Sequence, residues 1–239
     1  MIYQFLILQF LAHLLGDFIF QPHSWTMKKQ RKSISWYHLW HTIIIFAFSY
    51  TLSFDYGYLR FALLLSTIHF LIDILKSVLH IKTNIRNSVL FFTDQLLHII
   101  TLVVISVIYV SCYDINLEIE FTLKHIAIAT GFIFCAKPSN IIIKNIFDFL
   151  SIPTPTASST EDENKDLPNA GKLIGNMERF LVLSLILVSQ YSAVGLIIAA
   201  KSILRFRDNK KNEYVLVGTM LSFGIATLLG ILISLISVK

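Results

Sequence analysis

Long apolar segments separated by short polar stretches dominate the pattern of this chain. Four of them fill the first half, and each is about as long as a helix that crosses a bilayer. They do not alternate with period two, which favours helices over strands. The sequence therefore predicts an all-α, polytopic helical membrane protein. The four segments are 2–20, 37–54, 59–79 and 89–112.

The second half of the chain is less regular. A short apolar run at 122–136 ends at Lys137-Pro138, and an amphipathic stretch follows at 139–150. Residues 151–170 are rich in Ser, Thr and Pro and then acidic, which predicts a flexible linker. Two further apolar helices are predicted, over 174–204 and 214–238.

This pattern divides the chain into four regions. They are a four-helix membrane half, a short apolar or re-entrant segment, a flexible polar linker and a two-helix membrane half. Their predicted bounds are 1–112, 113–150, 151–172 and 173–239.

Basic residues indicate the orientation of the first half. They cluster in segment 28–32 after the first apolar segment and again between 76 and 86 near the end of the third. By the positive-inside rule these loops are cytoplasmic and the N-terminus is outside. A full crossing by 122–136 gives seven spans but places the basic segment 201–212 outside. A re-entrant hairpin broken at Pro138 gives six spans and obeys the rule; both counts stay open, and six is slightly preferred.

Composition agrees with a membrane protein. Charged residues make up only 15% of the chain and the mean hydropathy is +0.67, whereas soluble domains carry about 25% charged residues. The net charge of +5 is modest and is explained by loop placement against the cytoplasmic face. We therefore expect membrane lipids as partners and no nucleic acid. The sequence leaves the oligomeric state open.

Histidines and aspartates recur inside the apolar segments, where ionisable groups are costly and usually functional. Three segments each pair a histidine with an aspartate four residues away, which puts both side chains on one helix face. The second segment begins with a histidine pair. The motifs are His13-Leu-Leu-Gly-Asp17, His69-Phe-Leu-Ile-Asp73, Asp94-Gln-Leu-Leu-His98 and His38-Leu-Trp-His41.

The order of the motif in the fourth segment is reversed, and this segment runs in the opposite direction to the first and third. All three helices are therefore predicted to place the histidine deeper and the aspartate nearer the cytoplasmic face. At about 1.5 Å of rise per residue, the two layers lie about 6 Å apart. His41 is expected near the aspartate layer. The motifs are thus predicted to form one site near the cytoplasmic face.

Imidazole and carboxylate groups are the ligands that zinc, manganese and iron accept in proteins. The set is too large for one four-coordinate zinc, so the sequence predicts one or two divalent ions, zinc first and manganese or iron as alternatives. Alternatively, some members orient the ligands, or the pairs only hold helices together. The predicted ligands are His13, Asp17, His38, His41, His69, Asp73, Asp94 and His98.

Polar residues beside the motifs are candidates for catalysis and substrate binding. An aspartate that is not a metal ligand would act as general base, and the predicted catalytic residues are Asp17, Asp73 and Asp94. Lys76 follows Asp73 by three residues and would either neutralise it or bind a substrate phosphate. Gly16 would let a neighbouring helix approach closely. The predicted substrate-binding residues are Lys76, Gln21, Gln95, Lys201 and Arg205, the last two only if their segment is cytoplasmic.

These motifs resemble those of a bacterial membrane protein family that is classified only as a domain of unknown function. Members of that family often occur beside SatD-type regulators. The residues that carry the resemblance are His13-Leu-Leu-Gly-Asp17-Phe-Ile-Phe-Gln21, His69-Phe-Leu-Ile-Asp73 and Asp94-Gln95-Leu-Leu-His98, with a further similarity from Gly171 to Thr219. The resemblance implies a location in the bacterial inner membrane. The HxxxD motifs are also similar, more weakly, to those of membrane-bound metal-dependent hydrolases. Two HxxxD motifs also resemble the site of cation-diffusion-facilitator zinc exporters, but the third, reversed motif departs from that pattern.

The leading hypothesis is a membrane-embedded metal-dependent hydrolase, with its site near the cytoplasmic face. Its position and the basic residues around it suggest an amphiphilic substrate, lipid-linked or otherwise phosphorylated. The alternatives are a divalent-cation transporter for zinc or manganese, and a non-catalytic membrane scaffold or sensor. A transporter would need a second polar layer toward the outer face, and the outer halves of the first four segments are mostly apolar in sequence.

Overall fold

The computed structural model describes residues 1–113, 121–152, 170–205 and 212–236. Within these ranges all regular secondary structure is helical. The chain forms two compact units, a first unit at Met1–Thr130 and a second unit at Gly131–Ser237. The predicted linker lies outside the described residues except at its two edges.

Short connections join the helices of the first unit, so consecutive long helices run antiparallel. Helices α1, α3, α4 and α5 pack against one another as a bundle. The short helix α2 packs on α3. The elements are α1 (Ile2–Leu14) with a π-helical turn (Leu15–Ile19), α2 (His23–Lys29), α3 (Trp36–Thr51), a 3-10 turn (Tyr56–Tyr58), α4 (Leu59–Lys82) and α5 (Asn87–Cys112).

Four segments in the described part of the chain are long and apolar enough to cross a membrane: Ile2–Ile19, Tyr56–Lys82, Asn87–Cys112 and Leu216–Ser234. Helices α6 (Leu123–Cys135) and α7 (Lys137–Phe149) are bent by 49° at their junction and make a fifth if they form one span. Many large apolar side chains of α4 and α5 are exposed, as expected where a surface faces lipid. The all-helical prediction is confirmed and the features are consistent with an integral membrane protein, while the count of six or seven spans stays a prediction.

The break near Pro138 is where the sequence predicts it. Proline stands in the first turn of α7, where its missing N–H costs no hydrogen bond. The helix predicted over 174–204 is instead two helices, α8 (Ala170–Leu187) and α9 (Tyr191–Arg205). Ser189 adopts a left-handed φ of 61°. The N–H of Gln190 bonds to the carbonyl of Leu185, which is the hydrogen-bond pattern of a helix C-terminus.

In the second unit, α8 packs against the last helix, α10 (Asn212–Ser234). Arg179 of α8 is 1% exposed. Its guanidinium donates to the backbone oxygen of Cys135 and to three side-chain oxygens, those of Asn140, Asn176 and Ser222. The N–H groups of this buried guanidinium therefore donate to neutral oxygen atoms. These hydrogen bonds compensate for the loss of water around the side chain.

Gly16 lies in the π-helical turn, where α3 approaches it closely; the sequence predicts such an approach but not which helix makes it. A Cβ at this position would overlap the Cδ1 atom of Ile45, which is buried. We expect Gly16→Ala to lower the free energy of unfolding by about 1–3 kcal/mol, because the core would be overpacked. Adding Ile45→Val should restore part of the loss, since it removes the overlapping atom. Denaturation of the purified protein in detergent measures both effects.

Gly195→Ala is the matched control, because a Cβ at Gly195 would meet nothing within 4 Å. Replacing a helical glycine by alanine there is expected to be neutral or to stabilise by up to about 1 kcal/mol. Equal stabilities of the Gly16 and Gly195 variants would contradict close packing of the π-helical turn on α3.

Candidate metal centre

Side chains from α1, α3, α4 and α5 converge in the interior of the first unit. All of them except Asp17 are at most 6% exposed, and the side chain of Asp17 is 8% exposed. The four helices thus bring together residues that are up to 85 positions apart in sequence. The converging residues are His13, Asp17, His41, His69, Asp73, Asp94 and His98.

Asp17, His41 and His69 form the tightest group in this cluster. The Nε2 atoms of His41 and His69 are 3.0 Å apart. Asp17 Oδ1 lies 3.2 Å from Nε2 of His41 and 3.3 Å from Nε2 of His69. Three potential ligand atoms therefore face one another from three different helices.

Asp73 lies between this group and a second one. Its Oδ2 is 3.6 Å from Nε2 of His41 and 4.0 Å from Nε2 of His69. Its Oδ1 is 3.9 Å from Nε2 of His98, which lies 3.4 Å from Oδ1 of Asp94. One carboxylate thus contacts two groups of ligand-type atoms, one through each oxygen.

These separations can be compared with the geometry of a bound ion. Ligand atoms about 2.0–2.1 Å from a divalent ion are roughly 3.0 Å apart in an octahedron and 3.4 Å apart in a tetrahedron. The three distances among Asp17, His41 and His69 fall within or close to this range. The distances around Asp73 are longer by a few tenths of an ångström, which a small side-chain adjustment would close. The donor set and its spacing therefore fit a divalent metal.

Buried polar atoms without partners also fit this interpretation. Within the described residues, Asp17 Oδ1, Asp94 Oδ1 and both ring nitrogens of His98 have no hydrogen-bond partner. An unsatisfied buried polar atom costs about 1–3 kcal/mol. One or two cations in the cluster would satisfy the two carboxylate oxygens and one ring nitrogen of His98.

The π-helical turn begins two residues after His13 and contains Asp17. Single π turns inside α-helices are frequent at functional sites, because the wider turn redirects the side chains. Here Asp17 Oδ1 is 3.8 Å from Nδ1 of His13 and closer still to the histidines of α3 and α4. The turn therefore lets Asp17 contact the other helices as well as its own partner.

Gln95 orients three members of the cluster. Its Nε2 donates to Asp17 Oδ2 at 3.2 Å and to Asp94 Oδ2 at 3.3 Å, and its Oε1 lies 3.3 Å from Nε2 of His13. Because an amide oxygen only accepts, His13 carries its proton on Nε2 and keeps the Nδ1 lone pair free. A free Nδ1 lone pair is what a metal ligand requires.

Two lysines neutralise two of the aspartates. Lys76 pairs with Asp94 at 2.7 Å rather than with Asp73, which the i,i+3 spacing favoured. Asp73 instead pairs with Lys29 of α2, whose side chain is 7% exposed. Sequence reasoning assigned Lys29 only to the basic loop, since no spacing relates residues 29 and 73. The neighbours of Gln21 fix the orientation of its side-chain amide. In that orientation the amide oxygen accepts from Lys29 Nζ and the amide nitrogen donates to the backbone oxygen of Asp17.

His38 is placed differently from the prediction. Its Nδ1 accepts from the backbone N–H of Ser35 and its Nε2 lies 3.0 Å from the Ser77 hydroxyl. Both ring nitrogens are therefore used, and His38 caps α3 without joining the metal-type groups found in the described residues. His41 lies near the predicted aspartates, 3.2 Å from Asp17 Oδ1 and 3.6 Å from Asp73 Oδ2, and also reaches His69 directly.

The two remaining predicted residues belong to the second unit. Lys201 forms an ion pair with Glu178 and lies over the ring of Phe223. Arg205 ends α9, and its side chain is outside the described part of the structure. Their predicted contact with a substrate stays a prediction.

The part of the chain that matches a known protein family is the part that contains the buried cluster. A family model described as "Protein of unknown function (DUF3307)" matches residues 5–128, more than half of the 239 residues. No curated protein and no solved structure matches significantly. The similarity predicted from Gly171 onward lies beyond the matched residues. All residues of the buried cluster fall within the match, and the chain belongs to this DUF3307 family of proteins of unknown function.

Proposed function

We propose that the first unit is a membrane-embedded, metal-dependent hydrolase of the bacterial inner membrane. The observation that carries the proposal is the convergence of Asp17, His41 and His69, with ligand-type atoms 3.0–3.3 Å apart. We place the N-terminus outside, with six or seven spans, so that the centre lies near the cytoplasmic face.

One or two ions would occupy the centre, with zinc first and manganese or iron as alternatives. Asp17, His41, His69 and Asp73 would hold the first, and His13 could complete its set from the side of Asp17. A second ion would use Asp73, Asp94 and His98, with Asp73 shared between the two. A divalent ion supplies Lewis acidity and a nucleophilic water at neutral pH.

The other side chains have separate roles in this proposal. Asp94, when it is not a ligand, would accept a proton as general base. Gln95 keeps His13, Asp17 and Asp94 in position. Lys76, whose side chain is 25% exposed, is placed to bind an anionic group at the edge of the centre. An amphiphilic phosphate ester, reached from the lipid, fits these charges.

The test begins with the wild-type protein purified in detergent and dialysed against zinc or manganese. We expect about one to two ions per chain by elemental analysis, and release of inorganic phosphate from dioctanoyl phosphatidic acid as the probe. Metal binding without phosphate release would overturn the phosphate-ester substrate and leave the metal centre standing. A ratio below about 0.1 ion per chain would overturn the metal centre itself.

A divalent-cation transporter is the second candidate, and one observation favours it. Contrary to the apolar impression from the sequence, buried polar side chains continue beyond the histidines toward the end of the bundle that carries Asp55; among them are Gln9, Ser49 and Ser106. Uptake of labelled zinc into proteoliposomes that exceeds uptake into empty liposomes would favour transport over hydrolysis.

A further inference from the structure

A column of buried polar side chains leads from the histidines to the loop between α3 and α4. Its members come from α1, α3, the 3-10 turn and α5, and each is at most 2% exposed. Polar groups are costly in a membrane interior and mark the routes of ions and protons. The members are Gln9, Ser49, Tyr58, Ser106 and Tyr109.

The column begins at Asp55. This residue lies before the 3-10 turn, where its Oδ1 accepts from the backbone N–H of Gly57. Its Oδ2 accepts from the Tyr109 hydroxyl at 2.7 Å. The ring of Tyr109 packs against that of Tyr58, with centroids 4.8 Å apart. A half-buried carboxylate at the end of the bundle is thus connected to the interior.

Tyr58 and Ser106 occupy the middle of the column. The Tyr58 hydroxyl lies beside the side chains of Ser49 and Ser106. Within the described residues, neither the Tyr58 hydroxyl nor the Ser106 hydroxyl has a partner with full hydrogen-bond geometry, although the Ser49 and Ser106 side chains interact with the Tyr58 oxygen at longer range. Since both side chains are fully buried, each hydroxyl would cost about 1–3 kcal/mol unless water satisfied it.

Gln9 and Ser49 connect the middle of the column to the histidines. The Ser49 hydroxyl donates to Gln9 Oε1 at 2.6 Å, and the Gln9 amide donates to the Ser49 backbone oxygen at 3.0 Å. Next to them is a cavity of about 10 Å³, room for about one water molecule. Its polar lining includes Gln9, His13, Ser49, His69, His98 and Thr101.

We propose that this column is a route that takes up single waters and carries water and protons between the Asp55 end of the bundle and the His/Asp centre. The Tyr58 and Ser106 hydroxyls and the one-water cavity belong to one succession of neighbouring polar groups, so waters placed there would complete its hydrogen bonding. A proton moves along such a line as each oxygen accepts one hydrogen and releases another, which needs no oxidant or reductant. The route stands independently of the metal, although it would also supply the water that hydrolysis consumes.

Cysteine accessibility tests the route in the full chain, reconstituted in liposomes after both native cysteines are replaced by serine. Ser106→Cys is compared with Val104→Cys, two residues earlier on α5 at a position that is 49% exposed on the apolar outer surface. The probe is Ag⁺, a thiol-reactive cation small enough to follow waters in single file, applied to both sides, with labelling followed as loss of maleimide-reactive thiol by mass spectrometry. Because thiols react as hydrated thiolates, we expect the introduced thiol of S106C to label at least about tenfold faster than that of V104C.

A second pair on α3 keeps the test decisive if S106C does not fold. Ser49→Cys is compared with Ala47→Cys, an exposed position of the same helix, and the same ratio is expected. Monodisperse elution in detergent reports folding for each variant. Labelling of both interior positions at or below the rate of their controls would overturn the route, and it would leave the metal measurement on the wild-type protein unaffected.

Discussion

Replacing both His41 and His69 by alanine is expected to remove the first ion, so that the bound divalent metal falls by about one ion per chain. These residues supply two of the three atoms in the tightest part of the centre. Without them, the first ion would lose both imidazoles that approach it from α3 and α4 and would keep only carboxylate contacts and the Nδ1 of His13. Elemental analysis after dialysis against zinc measures the effect directly.

The double variant is paired with alanine at His23 and His125, two exposed histidines. This control removes the same number of imidazoles without touching the cluster, so it should keep the wild-type ratio. A wild-type ratio of metal to chain in the His41 and His69 variant would contradict the metal-centre proposal. Loss of metal from both variants would instead indicate adventitious binding by surface histidines.

Lys29→Met is expected to change stability and metal affinity in opposite directions. Without metal, removing the ammonium leaves the Asp73 carboxylate buried without its ion-pair partner. Breaking a buried ion pair by removing one partner costs about 3–5 kcal/mol of stability. With metal, the same substitution removes a cation that competes for Asp73, so zinc affinity should rise by about tenfold or more.

Denaturation in detergent at several zinc concentrations measures both effects of this substitution. The midpoint of Lys29→Met should lie below that of the wild type without zinc and should gain more from added zinc, since binding to the native state alone stabilises it. Lys28→Met is the control, because Lys28 is exposed and contacts only Tyr37 among the interactions observed for it. A weaker zinc affinity in the Lys29 variant would show that Lys29 supports the ion instead of competing with it.

Several features of the centre follow from the sequence because they depend on a single helix. Spacing of four places His13 beside Asp17 and His98 beside Asp94, and both pairs lie within 4 Å in the structure. The reversed order in α5 matches its antiparallel direction relative to α4. Helical periodicity and chain direction suffice for these features, since both are properties of local backbone geometry.

Other features depend on side chains that meet across helices. The pairing of Lys29 with Asp73, and of Lys76 with Asp94, joins residues with no sequence relation. Residues as long as lysine reach several ångströms from their own backbone, so spacing along one helix does not determine their partner. The two predicted layers likewise become one cluster, because the Asp17 side chain reaches the histidines of α3 and α4.

The sequence by itself determined the all-helical class, most of the apolar helices, and the buried histidines and aspartates, because hydropathy and helical spacing depend on consecutive residues. The tertiary structure alone decided which atoms meet: Asp17 with His41 and His69, Asp73 between two groups, and Lys29 as its counter-ion. It also revealed the polar column from Asp55, whose members come from three separate parts of the chain. Packing of α1, α3 and α5 brings them together, since each contributes only one polar group or a few to the column.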